Sequence, residues 1–100
     1  MKRAIQVHEK DNVATAPKQI RASESVRILT PEGKTLQIMR PNEDVPAGHK
    51  LALVKCRKGT RIVKYGQTIG IAVCAVEPGD WVHTHNVRSG RMSVSGKGGK

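Results

Sequence analysis

Apolar and polar residues alternate along most of this chain, with a period closer to two than to 3.6. The alternation predicts strands over residues 4–8, 13–16, 26–29, 35–39, 50–54, 61–65, 68–73 and 80–85, separated by Gly- and Pro-containing punctuation. Pro31-Glu32-Gly33-Lys34 lies between two of them and predicts a hairpin turn. No segment has the caps and apolar stripe of a convincing amphipathic helix; at most one helical turn is expected near Ser23-Glu24 or after Pro46. Short strands with frequent turns predict a mainly β domain.

A short pattern recurs within this alternation. Val45-Pro46-Ala47-Gly48, Cys56-Arg57-Lys58-Gly59 and Val76-Glu77-Pro78-Gly79 each place an apolar residue three positions before Gly and precede a strand. Ile20-Arg21-Ala22-Ser23 is a fourth copy with Ser in place of Gly. A tight turn that ends at positive φ accounts for the Gly, which bears no Cβ penalty there. The copies are irregularly spaced, which excludes a solenoid.

With 100 residues the chain supports one domain with a small core. It has no Phe, one Trp and one Tyr, so aliphatic residues must fill that core, with Trp81 as a plug. The domain is expected over residues 1–92, and the Ser/Gly/Lys-rich residues 93–100 predict a disordered tail or linker. Cys56 and Cys74 form no CxxC motif and read as small buried hydrophobes. Neither a signal-peptide pattern nor a membrane-length apolar run is present, so a cytoplasmic location without membrane contact is expected.

The net charge of +10 first suggests nucleic acid. The cations are spread along the chain, however, and two aromatics make no stacking platform, so that reading is disfavoured. An anionic small molecule, an acidic partner or a solvated basic face remain.

Candidate chemistry gathers at strand ends. In a strand His83 and His85 would share a face, a spacing that suits a divalent metal, although from spacing alone an exposed strand end is the stronger reading. His49 follows the turn at Gly48, where a solvent-exposed loop histidine is the competing reading. Lys64 precedes Tyr65-Gly66 and could act as a proton carrier, clamp a carboxylate or simply be solvated. His8 is a further candidate, while Asp11, Glu43, Asp44 and Glu77 read as turn residues. So few acids favour half of an active site.

The ordered set Gly48-His49-Lys50, Lys64-Tyr65-Gly66 with Ile69-Gly70, and Gly79 with Val82-His83-Thr84-His85-Asn86 resembles the altronate/galactarate dehydratase family. The similarity is to that family's small N-terminal SAF-type domain, covers about residues 4–91, and includes His8 with Asp11-Asn12-Val13-Ala14. The resemblance implies a β-clip fold and a hydro-lyase component that removes water from a polyhydroxy carboxylate, inactive without a large catalytic subunit or domain. It implies catalytic roles for His49, His83, His85 and Lys64, and substrate contacts for Lys50, Tyr65 and Asn86. It further implies a divalent metal, expected as Fe(II), shared with or held by the large partner, with His83 and His85 as candidate ligands. Two alternatives are the small subunit of a sulfolactate sulfo-lyase and a non-catalytic SAF binding module. Self-association is left open.

Overall fold

The computed structural model describes residues 1–89; the expected tail over 93–100 lies outside them. Among the described residues nine strands form and no helix: β1 (Lys2–Ile5), β2 (Val13–Thr15), β3 (Val26–Leu29), β4 (Thr35–Met39), β5 (Lys50–Ala52), β6 (Arg61–Lys64), β7 (Gln67–Ala72), β8 (Trp81–Val82) and β9 (Val87–Ser89). Six make one sheet in the order β4-β3-β1-β2-β5-β8, and three make a second in the order β6-β7-β9. Only β1 and β3 pair in parallel; the remaining pairs are antiparallel. Among the described residues no helix is long and apolar enough to cross a membrane.

Alternation on β2, β5 and β8 divides the interior. Ala14, Leu51 and Trp81 face a first core with Ala4, Ile20, Val26, Ile28 and Val45. Val13, Ala52 and Val82, one residue along on the same strands, face a second core with Cys56, Ile62, Ala72 and Val76. The centre of the large sheet is therefore covered on both faces, which is why so small a chain buries residues as short as Ala14 and Ala52 almost completely. At the opposite end β4 is an edge strand whose Leu36 and Ile38 stay exposed.

The four-copy pattern becomes four equivalent turns. The residues just before the turns pair with one another, Ile20 with Val45 and Cys56 with Val76, as two isolated antiparallel bridges. The turns close by N–H to C=O bonds from Glu24 to Arg21, His49 to Pro46, Thr60 to Arg57 and Asp80 to Glu77, at 2.9–3.2 Å. Their third residues, Ser23, Gly48, Gly59 and Gly79, have φ of 68°, 80°, 91° and 90°, the signature of a type II turn. Ser23 thus adopts the conformation its glycine counterparts adopt, and the helical turns expected at Ser23-Glu24 and after Pro46 are these β-turns. At Gly79 space matters as well as φ, since a Cβ would lie 2.9 Å from the Arg40 carbonyl oxygen.

Other boundaries also differ from the sequence expectation. The strand expected over 80–85 stops after Val82, because residues 83–86 turn sharply to deliver β9 to β7. That last strand escaped the alternation pattern, being short and largely polar. Cys56 is buried as expected, but Cys74 is exposed.

Asn12 and Asp11 finish the framework. Asn12 donates from Nδ2 to the Arg61 carbonyl and accepts the Val63 N–H at Oδ1, 2.9 and 2.8 Å. Its carboxamide thereby acts as a strand neighbour beside Ile62, where the β6–β7 register shifts. The adjacent Asp11, buried rather than a plain turn residue, accepts N–H bonds from His8, Tyr65 and Gly66 at 2.8–3.1 Å. This carboxylate holds the β6–β7 hairpin, whose Tyr65 and Gly66 both have positive φ, against the loop after β1. Gly66 leaves room for the His8 ring, which a Cβ would approach to 3.1 Å.

Candidate functional site

Strand register assembles the site. β5 and β8 pair Lys50 with Val82 and Leu51 with Trp81. One step further along the same antiparallel register, His49 stands opposite His83. Alternation puts both imidazoles on the Trp81 face and turns Lys50 to the opposite one. The observed geometry follows: the His49 and His83 ring centroids are 4.5 Å apart, and Trp81 lies 5.7 Å from each. His85 comes back over the indole from the turn, at 4.8 Å. Trp81 packs on the first core and also gathers three imidazoles, more than the plug the sequence suggested.

One hydrogen bond joins these rings. The Trp81 indole N–H donates to His49 Nδ1 at 3.1 Å. The backbone around it is fixed as well, since the His49 N–H bonds to Pro46 and its carbonyl accepts the Ala16 N–H. Asn86 performs for the 83–86 turn what Asn12 performs for β6. Its Oδ1 accepts the His83 N–H at 3.0 Å and its Nδ2 donates to the Trp81 carbonyl at 2.8 Å. Buried and doubly engaged, this carboxamide holds the turn that carries His83 and His85.

The lysines approach from the other face. Lys50 shares its face with Val82 and the second core, so its stem is half-buried. Burial, and then the charge of Lys64, lower the Lys50 pKa from the ordinary lysine value. Lys64 extends over the Tyr65 ring, 4.8 Å from its centroid, and Tyr65 itself is exposed. The His83 pKa is lowered too, by desolvation first and then by His49, Lys50 and His85. Lys50, His83, Thr84, Ile69 and Val87 line an open groove of about 240 Å³. A larger hollow of about 330 Å³, beside Lys2, Arg3 and Lys18, shares no residue with it.

The predicted site residues thus fall into one principal cluster, His49, His83, His85 and Lys50, to which Lys64 is coupled through its charge. Tyr65 accompanies Lys64 on the hairpin and Asn86 stands behind the cluster. His8 does not join it: its ring packs on Gly66 and its Nδ1 accepts the Lys10 N–H. The sequence reading missed the bonding role of Trp81 and the stitching by Asp11 and Asn12. The last two had a signal, the Asp11-Asn12-Val13-Ala14 stretch of the resemblance.

As a metal centre the donor set is incomplete. Among the described residues no three His, Cys, Asp or Glu side chains gather as a metal-holding group. His83 and His85 offer at most two imidazoles, beside an ammonium group that repels a cation. The arrangement instead suits an anion: the charges that shift Lys50 and His83 are all on His or Lys.

Comparison with known proteins identifies the family. Residues 2–90 match the family described as the altronate/galactarate dehydratase SAF domain. Altronate dehydratase of Escherichia coli (strain K12) is 35% identical over 85 residues, which are 85% of this chain and 16% of that relative. Altronate dehydratase of Bacillus subtilis (strain 168) is 33% identical over 94 residues, 94% of this chain and 18% of the relative. The (2R)-sulfolactate sulfo-lyase subunit alpha of Chromohalobacter salexigens is 32% identical over 89 residues, 85% of this chain and 93% of that subunit. The chain spans less than a fifth of the dehydratases and nearly all of the sulfo-lyase subunit. It belongs to the altronate/galactarate dehydratase SAF-domain family.

Proposed function

We propose that this chain is the small component of a sugar-acid hydro-lyase and contributes one wall of a site completed by a larger subunit or domain. The observation that carries the reading is the acid-free groove edged by Lys50 and His83, with Lys64, His49 and His85 as the nearby groups that act on them. Such a wall attracts a carboxylate and offers proton carriers beside it. Dehydration of a polyhydroxy carboxylate removes the proton on the carbon next to the carboxylate. The electron pair then expels the neighbouring hydroxyl, which leaves as water once protonated, and the enol product becomes a 2-keto-3-deoxy acid. Negative charge grows on the carboxylate oxygens as the proton departs, and fixed cations stabilise it.

In this reading Lys50 and Lys64 hold the carboxylate, with Tyr65 at the outer edge. His83, kept neutral by its surroundings, is able to accept the proton, and His85 adjoins it on the same turn. Asn86 keeps that turn in place rather than reaching the substrate, since both ends of its carboxamide are bonded to backbone. In this reading the larger component supplies most ligands of the divalent metal, because the donor set among the described residues is incomplete.

A second reading has its own support. The match covers 93% of one sulfo-lyase alpha subunit, a polypeptide of comparable size. The chemistry is parallel, with sulfite in place of hydroxide as the leaving group. Assembly with the large component, followed by assay on altronate, galactarate and (2R)-sulfolactate, separates the two. The proposal expects keto acid from a sugar acid, and His83→Ala is expected to lower turnover roughly tenfold or more. Sulfite release alone selects the second reading, and near-wild-type turnover of the variant overturns the role of His83.

A further inference from the structure

We infer that Trp81 is a positioning residue that fixes the tautomer of His49, and thereby assigns His49 as a hydrogen-bond donor to the substrate rather than a base or metal ligand. The inference rests on the reading above that the cluster faces a carboxylate substrate.

An indole N–H can only donate. At 3.1 Å from Trp81 Nε1, the Nδ1 of His49 must therefore carry a lone pair and no proton. A neutral imidazole has one N–H, so the proton sits on Nε2. No hydrogen bond to Nε2 is present among the described residues, which leaves that N–H free to meet an incoming oxygen. The ring has little freedom to choose otherwise. Its backbone is bonded at both N–H and C=O, Trp81 packs on the first core, and His83 lies against the ring at 4.5 Å.

Three consequences separate the histidines. His49 cannot accept a proton through Nε2 while Nδ1 holds the indole N–H, because Nε2 already bears one. Nor can Nε2 ligate a metal without losing that proton, which would leave an imidazolate. Its remaining function is to donate a hydrogen bond from Nε2 to a substrate carboxylate oxygen while keeping the proton, since releasing it would leave the same imidazolate. Proton abstraction then falls to His83, to His85 or to the larger component. Protonation of His49 at Nδ1 would break the contact with Trp81, so the bond favours a ring that acts in its neutral form and keeps its Nε2 proton.

The test uses the full 100-residue chain labelled with 15N. His49 Nε2 is expected to show a pyrrole-like and Nδ1 a pyridine-like nitrogen shift, with a through-bond coupling between Trp81 Nε1 and His49 Nδ1. Trp81→Phe keeps an aromatic ring and removes the donor together with part of the indole's packing surface. It is expected to shift the tautomer balance of His49 while leaving backbone amide shifts away from residues 46–50 and 79–86 in place. In the assembled enzyme the same variant is expected to lower kcat about tenfold or more, with KM within about twofold. A pyridine-like Nε2 or an absent coupling in the unsubstituted chain overturns the inference even if the enzyme is active. The expected tautomer with no kcat loss in Trp81→Phe overturns the donor role. If the assembly instead turns over none of the three candidate acids, it is the functional reading that fails, and the nitrogen spectra still decide the tautomer.

Discussion

Asn12 and Asn86 are the same device in two places. Each sends its Nδ2–H to the carbonyl before a buried aliphatic residue and takes the N–H after it, flanking Ile62 and Val82 respectively. Each therefore supplies the two bonds a neighbouring strand would have made. They differ in what stands nearby. Around Asn12 the stitched strand carries Ile62 into the second core and joins the two sheets. Around Asn86 the stitched segment holds Trp81 and His83, so the same bonds aim a cluster of imidazoles. One arrangement is architecture only; the other makes architecture a condition of chemistry.

The largest effect is expected at Asn86→Ala. It strands two partly buried backbone groups and should cost about 2–3 kcal/mol in urea unfolding. It should also move the ring resonances of His83 and His85, because the turn that carries them loses its anchor. Asn12→Ala should cost less, about 1–2 kcal/mol, since the Arg61 carbonyl it frees is open to water. Its histidine resonances at 49, 83 and 85 should stay in place. A variant pair with equal effects on these rings would erase the distinction.

The smallest effect concerns pH. The folded state lowers the His83 pKa, so the unfolded chain binds this proton more readily than the folded one. Stability is therefore expected to fall as pH drops through the ordinary histidine value of 6.5 toward the lowered folded value. His83→Gln should flatten that part of the pH–stability profile in thermal melts from pH 7.5 to 5. An unchanged slope in the variant would place its origin elsewhere.

These contrasts mark what one sequence can carry. Period-two alternation located eight of the nine strands, because a half-covered sheet writes its burial into every second residue. The repeated turn was legible for the same reason, since positive φ selects Gly, and its partner-by-partner bridging explains why the fourth copy tolerates Ser23. The site residues were legible mainly as an order of motifs resembling a family. Their meeting was not. His49 faces His83 only because β5 and β8 adopt one particular register across some thirty residues of chain, and alternation fixes a face but not a partner. Asn86 illustrates the remaining limit: a polar residue beside two histidines reads as a ligand-binding group, while its carboxamide is consumed by backbone.

The parallel pairing of β1 with β3 around an intervening β2, and the late arrival of β8 beside β5, have a kinetic consequence. Every strand of the first core except β8 has been synthesised by residue 52, yet that core still lacks Trp81. Closure must wait for contacts between distant parts of the chain, which points to folding in about milliseconds to seconds rather than microseconds. The indole that completes the core is also the one that gathers the imidazoles. The imidazole cluster therefore forms only once β8 has docked on β5.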